Sequence, residues 1–195
     1  MLSRATPRSA RQQGTSLVEV LVTLLILAIG LLGVAGLQGK MSLAEMESFQ
    51  RSQAVLALTD MAEMISANRT QAASYVTSGT IGTGDTEPAD CTTIAPGPAQ
   101  DLCNWSNSLK GAAEQKSAAN VGGMIAARGC IVQVQAPNLA LGVCTPGVYQ
   151  VSVAWQGLSP TATPALTCAQ GDYGANEAYR RIIATSVTIA TTSCY

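Results

Sequence analysis

Hydrophobic residues dominate one continuous stretch near the amino terminus, residues 17–37, in which Glu19 is the only charged residue. A stretch of about 20 apolar residues is long enough to cross a bilayer as a helix. The segment before it contains no acidic residue and three arginines, Arg4, Arg8 and Arg11. Because short basic segments tend to stay in the cytoplasm, the pattern predicts a membrane-spanning helix whose carboxyl-terminal side is exported.

The helical pattern continues beyond this stretch. Residues 41–67 are rich in strong helix formers and contain no proline or glycine. Four apolar residues recur there at the spacing of one helix face. They are Ala54, Leu58, Met61 and Ile65. We therefore expect one helix from Thr15 to Ala67, with its last third packed on a folded domain.

Alternating and β-branched residues dominate the remainder of the chain, which predicts strands. The predicted strands are residues 130–135, 148–155 and 180–191. A loop rich in glycine, threonine and proline is expected over residues 78–100, followed by a short helix over residues 100–115. The fold class predicted is α+β, with a long amino-terminal helix packed on a small antiparallel sheet.

Cysteine usage agrees with an exported domain. All of the six cysteines follow the apolar stretch: Cys91, Cys103, Cys130, Cys144, Cys168 and Cys194. No two of them have the close spacing of a zinc site, and an even number in an exported domain favours disulfides. Pairing neighbours along the chain gives Cys91–Cys103, Cys130–Cys144 and Cys168–Cys194. This is one of fifteen possible arrangements, and the sequence does not decide among them.

Composition narrows the function. The chain has 195 residues, a formal net charge of −1 and no histidine. Near-neutral charge argues against a nucleic-acid binder that neutralises phosphates. Without histidine there is no Ser-His-Asp triad, no histidine metal site and no histidine pH switch. The nucleophile motifs of hydrolases and β-lactamases are absent as well. We expect neither enzymatic activity nor a cofactor or metal.

The most informative motif is Gly14-Thr15-Ser16-Leu17-Val18-Glu19, where a basic leader ends in glycine directly before the apolar helix. A lone carboxylate in an apolar helix is costly unless it is paired. Several explanations are open from these residues alone. The segment is a cleaved signal peptide with small residues at 33–35, an uncut anchor, or a helix start at which Ser16 and Glu19 form a capping box.

This junction resembles the leader junction of type IV pilins and of type II secretion pseudopilins, although most members carry phenylalanine where this chain has Thr15. The resemblance implies that prepilin peptidase cuts between Gly14 and Thr15 and methylates the new amino terminus at Thr15. It also implies that Glu19 meets the amino terminus of a neighbouring subunit and sets the register of assembly. Residues 1–14 are then a leader, residues 15–40 the membrane and assembly half of the helix, and residues 41–195 a periplasmic head.

Residues 29–38 are similar to the minor pilins of this family. The resemblance implies a non-catalytic protein that takes part in type IV pilus assembly, initiation or modification. Its implied partners are minor and major pilins, the prepilin peptidase and the inner-membrane assembly proteins. It would reside in the inner membrane and then in the pilus. A type II secretion pseudopilin and a secreted disulfide-bonded binding module are the alternatives.

Overall fold

The computed structural model describes residue 14 and residues 16–112, 115–117, 119–120, 123–140 and 143–190. The chain divides into two compact units, the first ending at Ala44 and the second beginning at Glu45. Helix α1, Leu17–Ala67, contributes residues to both units. The helix predicted from Thr15 is therefore present from Leu17, and Thr15 itself lies outside the described residues.

After α1, the second unit contains a short 3-10 helix, a second α-helix, strands and a further 3-10 helix. In chain order they are the 3-10 helix Arg69–Tyr75, β1 Ile81–Gly82, α2 Pro98–Leu109, β2 Gln115–Lys116, β3 Ala119–Asn120, β4 Arg128–Gln135, β5 Gly147–Gln156, the 3-10 helix Glu177–Tyr179 and β6 Arg180–Ile189. The three strands predicted from the sequence correspond to β4, β5 and β6. The short helix predicted over residues 100–115 begins earlier, because Pro98 fits the first turn of a helix. It also ends earlier, at Leu109, and Gln115 belongs to β2 instead.

The main sheet has four strands in the order β1-β4-β5-β6, and every neighbouring pair is antiparallel. Strands β4 and β5 form a hairpin in which Cys130 lies opposite Ser152. Strand β6 pairs with β5 along its full length, from Gly147 opposite Ile189 to Gln156 opposite Arg180. Strands β2 and β3 form a separate two-stranded sheet. The predicted α+β fold is confirmed.

Residues 45–67 of α1 pack on one face of the main sheet. The buried residues of this helix are Gln50, Ala54, Ala57, Leu58, Met61 and Ile65, which include the four predicted from spacing. They share a core with Tyr149, Val151 and Val153 of β5. Successive strand residues point to opposite faces, so the even-numbered residues of β5 face away from α1.

Helix α2 is fastened to this core by Trp105. The indole N–H of Trp105 donates a hydrogen bond of 2.9 Å to the carbonyl oxygen of Ala57, and the residue is fully buried. Gly129 of β4 lies against the ring, and a Cβ atom at that position would overlap the indole. Glycine is therefore required at Gly129 for the close approach of α2 to the sheet.

Two disulfides join described residues. Cys91–Cys103 agrees with the pairing of neighbours and ties the loop before α2 to that helix. Cys130, however, bonds to Cys168, with the Cα atoms 5.8 Å apart, so the predicted pairs Cys130–Cys144 and Cys168–Cys194 are wrong. Cys144 is also disulfide-bonded, whereas Cys194 lies outside the described residues.

The register of the hairpin explains this correction. Cys130 is near the start of β4, and Cys144 lies in the connection that follows the other end of that strand. From Cys130 to Gln135 the strand rises about 16 Å, which is far beyond the Cα separation of a disulfide. The segment after β5 folds back over the sheet and brings Cys168 to Cys130 instead.

Candidate functional site

The start of α1 carries the residues that the junction motif singles out. The backbone N–H of Glu19 donates to the Ser16 carbonyl oxygen at 3.0 Å and to Ser16 Oγ at 3.3 Å. Ser16 therefore caps the helix, which is one half of a capping box. Within the described part of the chain, the Glu19 carboxylate has neither a hydrogen-bond nor an ion-pair partner. The amide of Glu19 serves the helix, and its carboxylate is available to another group.

Gly14 lies just before this cap and is exposed. A Cβ atom placed on Gly14 would meet no atom within 4 Å. Packing among the described residues thus gives no reason for glycine at this position. The role of Gly14 at a cleavage site stays a prediction. Cleavage before Thr15 and methylation of Thr15 also stay predictions, because Thr15 lies outside the described residues.

The apolar residues of α1 in the first unit are exposed around the whole circumference of the helix. Leu17, Leu24 and Leu32 are 80%, 61% and 73% exposed, and the 18-residue stretch that carries the apolar signal has no buried residue. By length and composition, this helix is long and apolar enough to cross a membrane. A helix that is apolar all round is typical of a membrane span or of a helix covered by other helices.

Three glycines of this stretch are open to a neighbour. A Cβ atom at Gly30, Gly33 or Gly36 would meet nothing within 4 Å. Small residues let helices approach closely in lipid. The expectation that these glycines allow close contact between helices stays a prediction, because the described structure contains no second long helix that could contact them.

In the second unit, Glu47 connects α1 to the segment after β5. Its Oε1 atom accepts hydrogen bonds from the Ser159 hydroxyl at 3.0 Å and from the Leu158 and Ser159 amides at 3.2 Å. Arg181 Nη2 lies 3.2 Å from the same oxygen. Partial burial by itself raises the pKa of Glu47, but these donors outweigh it and lower the pKa below its usual value.

Arg180 holds the same segment on the sheet. Its side chain is 1% exposed and pairs with Glu177. The guanidinium also donates to the carbonyl oxygens of Leu166 and Cys168, the latter at 3.1 Å. A buried guanidinium needs such a set of acceptors. Together with the Cys130–Cys168 disulfide, it fixes residues 164–168 against β4.

Asp85 performs a similar role for the loop before α2. Its carboxylate accepts from the Gly82 amide at 2.7 Å and from the Ser106 hydroxyl at 2.8 Å, and it pairs with Lys110. Burial acts to raise the pKa of Asp85, but the hydrogen bonds and the lysine outweigh it, so the pKa is lowered. The loop is thereby fixed at both Asp85 and Cys91.

Asp101 differs from its predicted environment. From the sequence, we expect a solvated charge on a helix surface. In the structure, Asp101 accepts hydrogen bonds from the Tyr75 hydroxyl and, at 3.1 Å, from Asn68 Nδ2. Burial, with the bond to Asp101, raises the pKa of Tyr75 to about 12. Asp101 therefore links α2 to Asn68, which directly follows α1, and to the 3-10 helix that contains Tyr75.

Glu47, Asp85 and Arg180 were not singled out by the sequence patterns. Of these three residues, only Arg180 could have been identified from the sequence, because it is followed directly by Arg181 at the start of a predicted strand. Neighbouring strand residues point to opposite faces, so one of two adjacent arginines is directed towards the protein. Glu47 and Asp85 are ordinary surface residues by sequence, and their partners are distant along the chain or formed by loop amides.

Comparison with protein families gives two matches on successive parts of the chain. Residues 9–35 match the family described as the prokaryotic N-terminal methylation motif. Residues 36–110 match the family described as type IV pilin Tt1218. No curated protein and no solved structure matches the chain significantly. The methylation motif covers the Gly14–Glu19 junction, and the pilin match covers most of α1 together with α2. Together with a long amino-terminal helix packed on a small antiparallel sheet, these two matches support a type IV pilin.

Proposed function

We propose that this chain is a minor pilin, a structural and non-catalytic subunit that takes part in the assembly, initiation or modification of a type IV pilus. The observation that carries the proposal is the Glu19 carboxylate, which has no partner within the described chain and lies in the amino-terminal part of α1, where the helix is exposed on all sides. A carboxylate in an apolar environment is costly unless it is paired. Helices of neighbouring pilins supply both the apolar cover and the partner charge.

The partner charge comes from processing. Cleavage by prepilin peptidase after Gly14 removes the leader, residues 1–14, and leaves an α-ammonium on Thr15, which is then methylated. The methylated amine keeps its positive charge and pairs with Glu19 of an adjacent subunit. Such a pair sets the axial register between subunits, because it forms at one offset only. The charge pair is worth most where water is excluded.

In the proposed topology, residues 15–40 cross the inner membrane before assembly and residues 41–195 form the periplasmic head. The arginines of the leader keep the amino terminus in the cytoplasm. The proposed partners are minor and major pilins, the peptidase and the inner-membrane assembly proteins. No nucleic acid is involved in this role.

Two observations favour a pilus over a secretion pseudopilus. The match over residues 36–110 is to a type IV pilin, and residues 29–38 resemble the minor pilin PilV, the type IV pilus modification protein. The methylation motif alone does not discriminate, since pseudopilins share the junction. A type II secretion pseudopilin is therefore the second candidate.

The test replaces Glu19 by glutamine, which keeps the shape of the side chain and removes its charge. Glu45→Gln is the matched control, because Glu45 is another exposed α1 glutamate without a partner in the described structure. Both variants should reach the membrane fraction in normal amounts. We expect Glu19→Gln to abolish co-purification with the other pilins and Glu45→Gln to leave it intact. Normal co-purification of Glu19→Gln would contradict the proposal.

The mass of the mature amino terminus separates the remaining alternative. A chain that begins with N-methylated Thr15 supports the pilin processing described above. A chain that begins near Gly36 supports removal of the whole apolar segment by signal peptidase and a secreted module.

A further inference from the structure

The face of the main sheet that points away from α1 carries a groove of about 340 Å³. Its floor consists of Cys130 and Val132 of β4 with Gln150 and Ser152 of β5. Residues 77–80 form one wall, and the segment containing Cys168 forms the other. Since the Cys130–Cys168 disulfide and Arg180 fix the second wall, the groove is a built feature of the head.

The lining of this groove is mixed in polarity and almost uncharged. Hydroxyl and amide side chains lie beside apolar ones, and they include those of Thr80, Gln150, Ser152, Thr167 and Gln170. The one charged residue in the lining is Asp172, and its carboxylate lies 3.2 Å from Arg128 Nε. Hydroxyl and amide groups both donate and accept hydrogen bonds. The lining therefore suits an uncharged ligand whose groups also both donate and accept hydrogen bonds.

Ser152 is the most telling residue of the groove. The residue is 4% exposed, and within the described structure its hydroxyl makes no hydrogen bond. The hydroxyl oxygen of Ser152 is not fully buried, and it faces the groove. The half-buried side chains of Gln150 and Thr80 are likewise without hydrogen-bond partners among the described residues. Buried polar groups are nearly always paired. Ser152 is the buried residue among the three, and its unpaired hydroxyl, flanked by Gln150 and Thr80, is placed to bind a ligand in the groove.

From these observations we infer that the groove binds a neutral saccharide, through hydrogen bonds from its hydroxyls to Ser152, Gln150 and Thr80. The volume lies at the small end of the range for ligand pockets, which fits a mono- or disaccharide. An anionic ligand is disfavoured because no lysine or arginine lines the groove. An extended peptide is disfavoured because the groove lies on the face of the sheet, whereas added strands pair with an edge. The inference is independent of the proposed role in the pilus.

The experiment titrates the full-length protein with maltose, lactose and N,N′-diacetylchitobiose. The protein is held in lauryldimethylamine oxide micelles, because detergents with sugar head groups would compete for the groove. Binding is detected by saturation-transfer NMR and quantified by calorimetry. Tetra-alanine serves as the peptide probe. We expect saturable binding of at least one sugar and none of the peptide.

Three variants locate the site. Gln150→Ala and Ser152→Ala each remove one hydrogen-bonding group and should weaken sugar binding by about tenfold. Thr188→Ala is the control, since Thr188 is an exposed hydroxyl on β6 that lies opposite Val148 and outside the groove. Unchanged thermal unfolding of all three variants shows that the sheet is intact. If a groove variant unfolds at a lower temperature than the native protein, its binding data are not used. Hydrogen–deuterium exchange at residues 150–152 of the native protein is then measured instead, and the bound sugar should slow that exchange.

Saturable sugar binding that both groove variants weaken and the control leaves unchanged supports the inference. Absence of saturable binding for all three sugars overturns it. Binding that is equal in the four proteins, or stronger for tetra-alanine than for any sugar, overturns it as well.

Discussion

The two units of this chain use the same kinds of residue in opposite ways. In the first unit, Leu24 is 61% exposed, and no apolar side chain of the membrane-length stretch is buried. In the second unit, Leu58 of the same helix is 7% exposed and belongs to the hydrophobic core. Burial of apolar area is the main source of folding stability. The second unit therefore contains its own source of stability, and the first needs lipid or other helices.

The carboxylates show the same difference. Glu19 in the first unit has no partner for its carboxylate among the described residues, whereas Glu47 and Asp85 in the second each accept several hydrogen bonds and pair with a cation. A charge that is satisfied within the fold has a structural role. A charge left without a partner in an apolar helix is suited to contact with another molecule. The charges of the second unit are thus satisfied within its own fold, whereas the charge of the first unit depends on an assembly.

The largest effect is expected from Trp105→Ala in the second unit. The substitution removes a fully buried ring and the hydrogen bond to Ala57, so we expect a loss of about 3–5 kcal/mol in the free energy of unfolding. Trp105→Phe, which keeps most of the ring, should lose much less. Urea unfolding of the full chain in micelles, followed by circular dichroism, measures both values. Equal losses for the two variants would show that the hydrogen bond, and not packing, dominates.

Much of this difference was predictable from local patterns. The spacing of Ala54, Leu58, Met61 and Ile65 is a property of one helix, so the order of residues shows it directly. The alternation in β4 and β5 is local in the same sense. The junction at Glu19 is also local, and for that reason its residues could be singled out from the order of amino acids alone.

The contacts between distant residues of the second unit could not be predicted, because they depend on the path that long connecting segments take back to the sheet. Cys130 bonds to a cysteine 38 residues away, after a segment whose path is set by the buried Arg180. Glu47 meets the Ser159 hydroxyl 112 residues further along. The groove needs Ser152 to face away from the helix and Thr80 to come from a different loop. Proximity of this kind follows from tertiary structure and has no periodic signal.

An intermediate effect is expected from Asp85. Its pKa is lowered in the folded state, so its stabilising contribution is fully present above the usual carboxyl pKa, near pH 4, and is lost as the pH falls through the lower folded value. Asp85→Asn should reduce stability at pH 7 by about 1–3 kcal/mol. It should also flatten the decline in stability between about pH 5 and pH 3.

Asp60→Asn is the control for this prediction, since Asp60 is exposed on α1 and has no hydrogen bond or ion pair in the described structure. Urea midpoints are measured from pH 7 to pH 3 for both variants and for the unmodified protein. Parallel curves for Asp85→Asn and the unmodified protein would show that Asp85 is not held by Gly82, Ser106 and Lys110 in solution.

The smallest effect on stability is expected from Leu24→Ala, and the sharpest test of the comparison is to make the same substitution at Leu58 of the same helix. Leu58→Ala creates a cavity in the core and should cost about 2–5 kcal/mol. Leu24→Ala removes an exposed side chain, so the unfolding free energy of the head should change by less than about 0.5 kcal/mol. Leu24→Ala should instead weaken recovery with other pilins, because the side chain contributes to the surface that they cover. If Leu24→Ala destabilises the head as Leu58→Ala does, the first unit is part of the same cooperative fold, and its exposed apolar surface is no longer evidence of assembly.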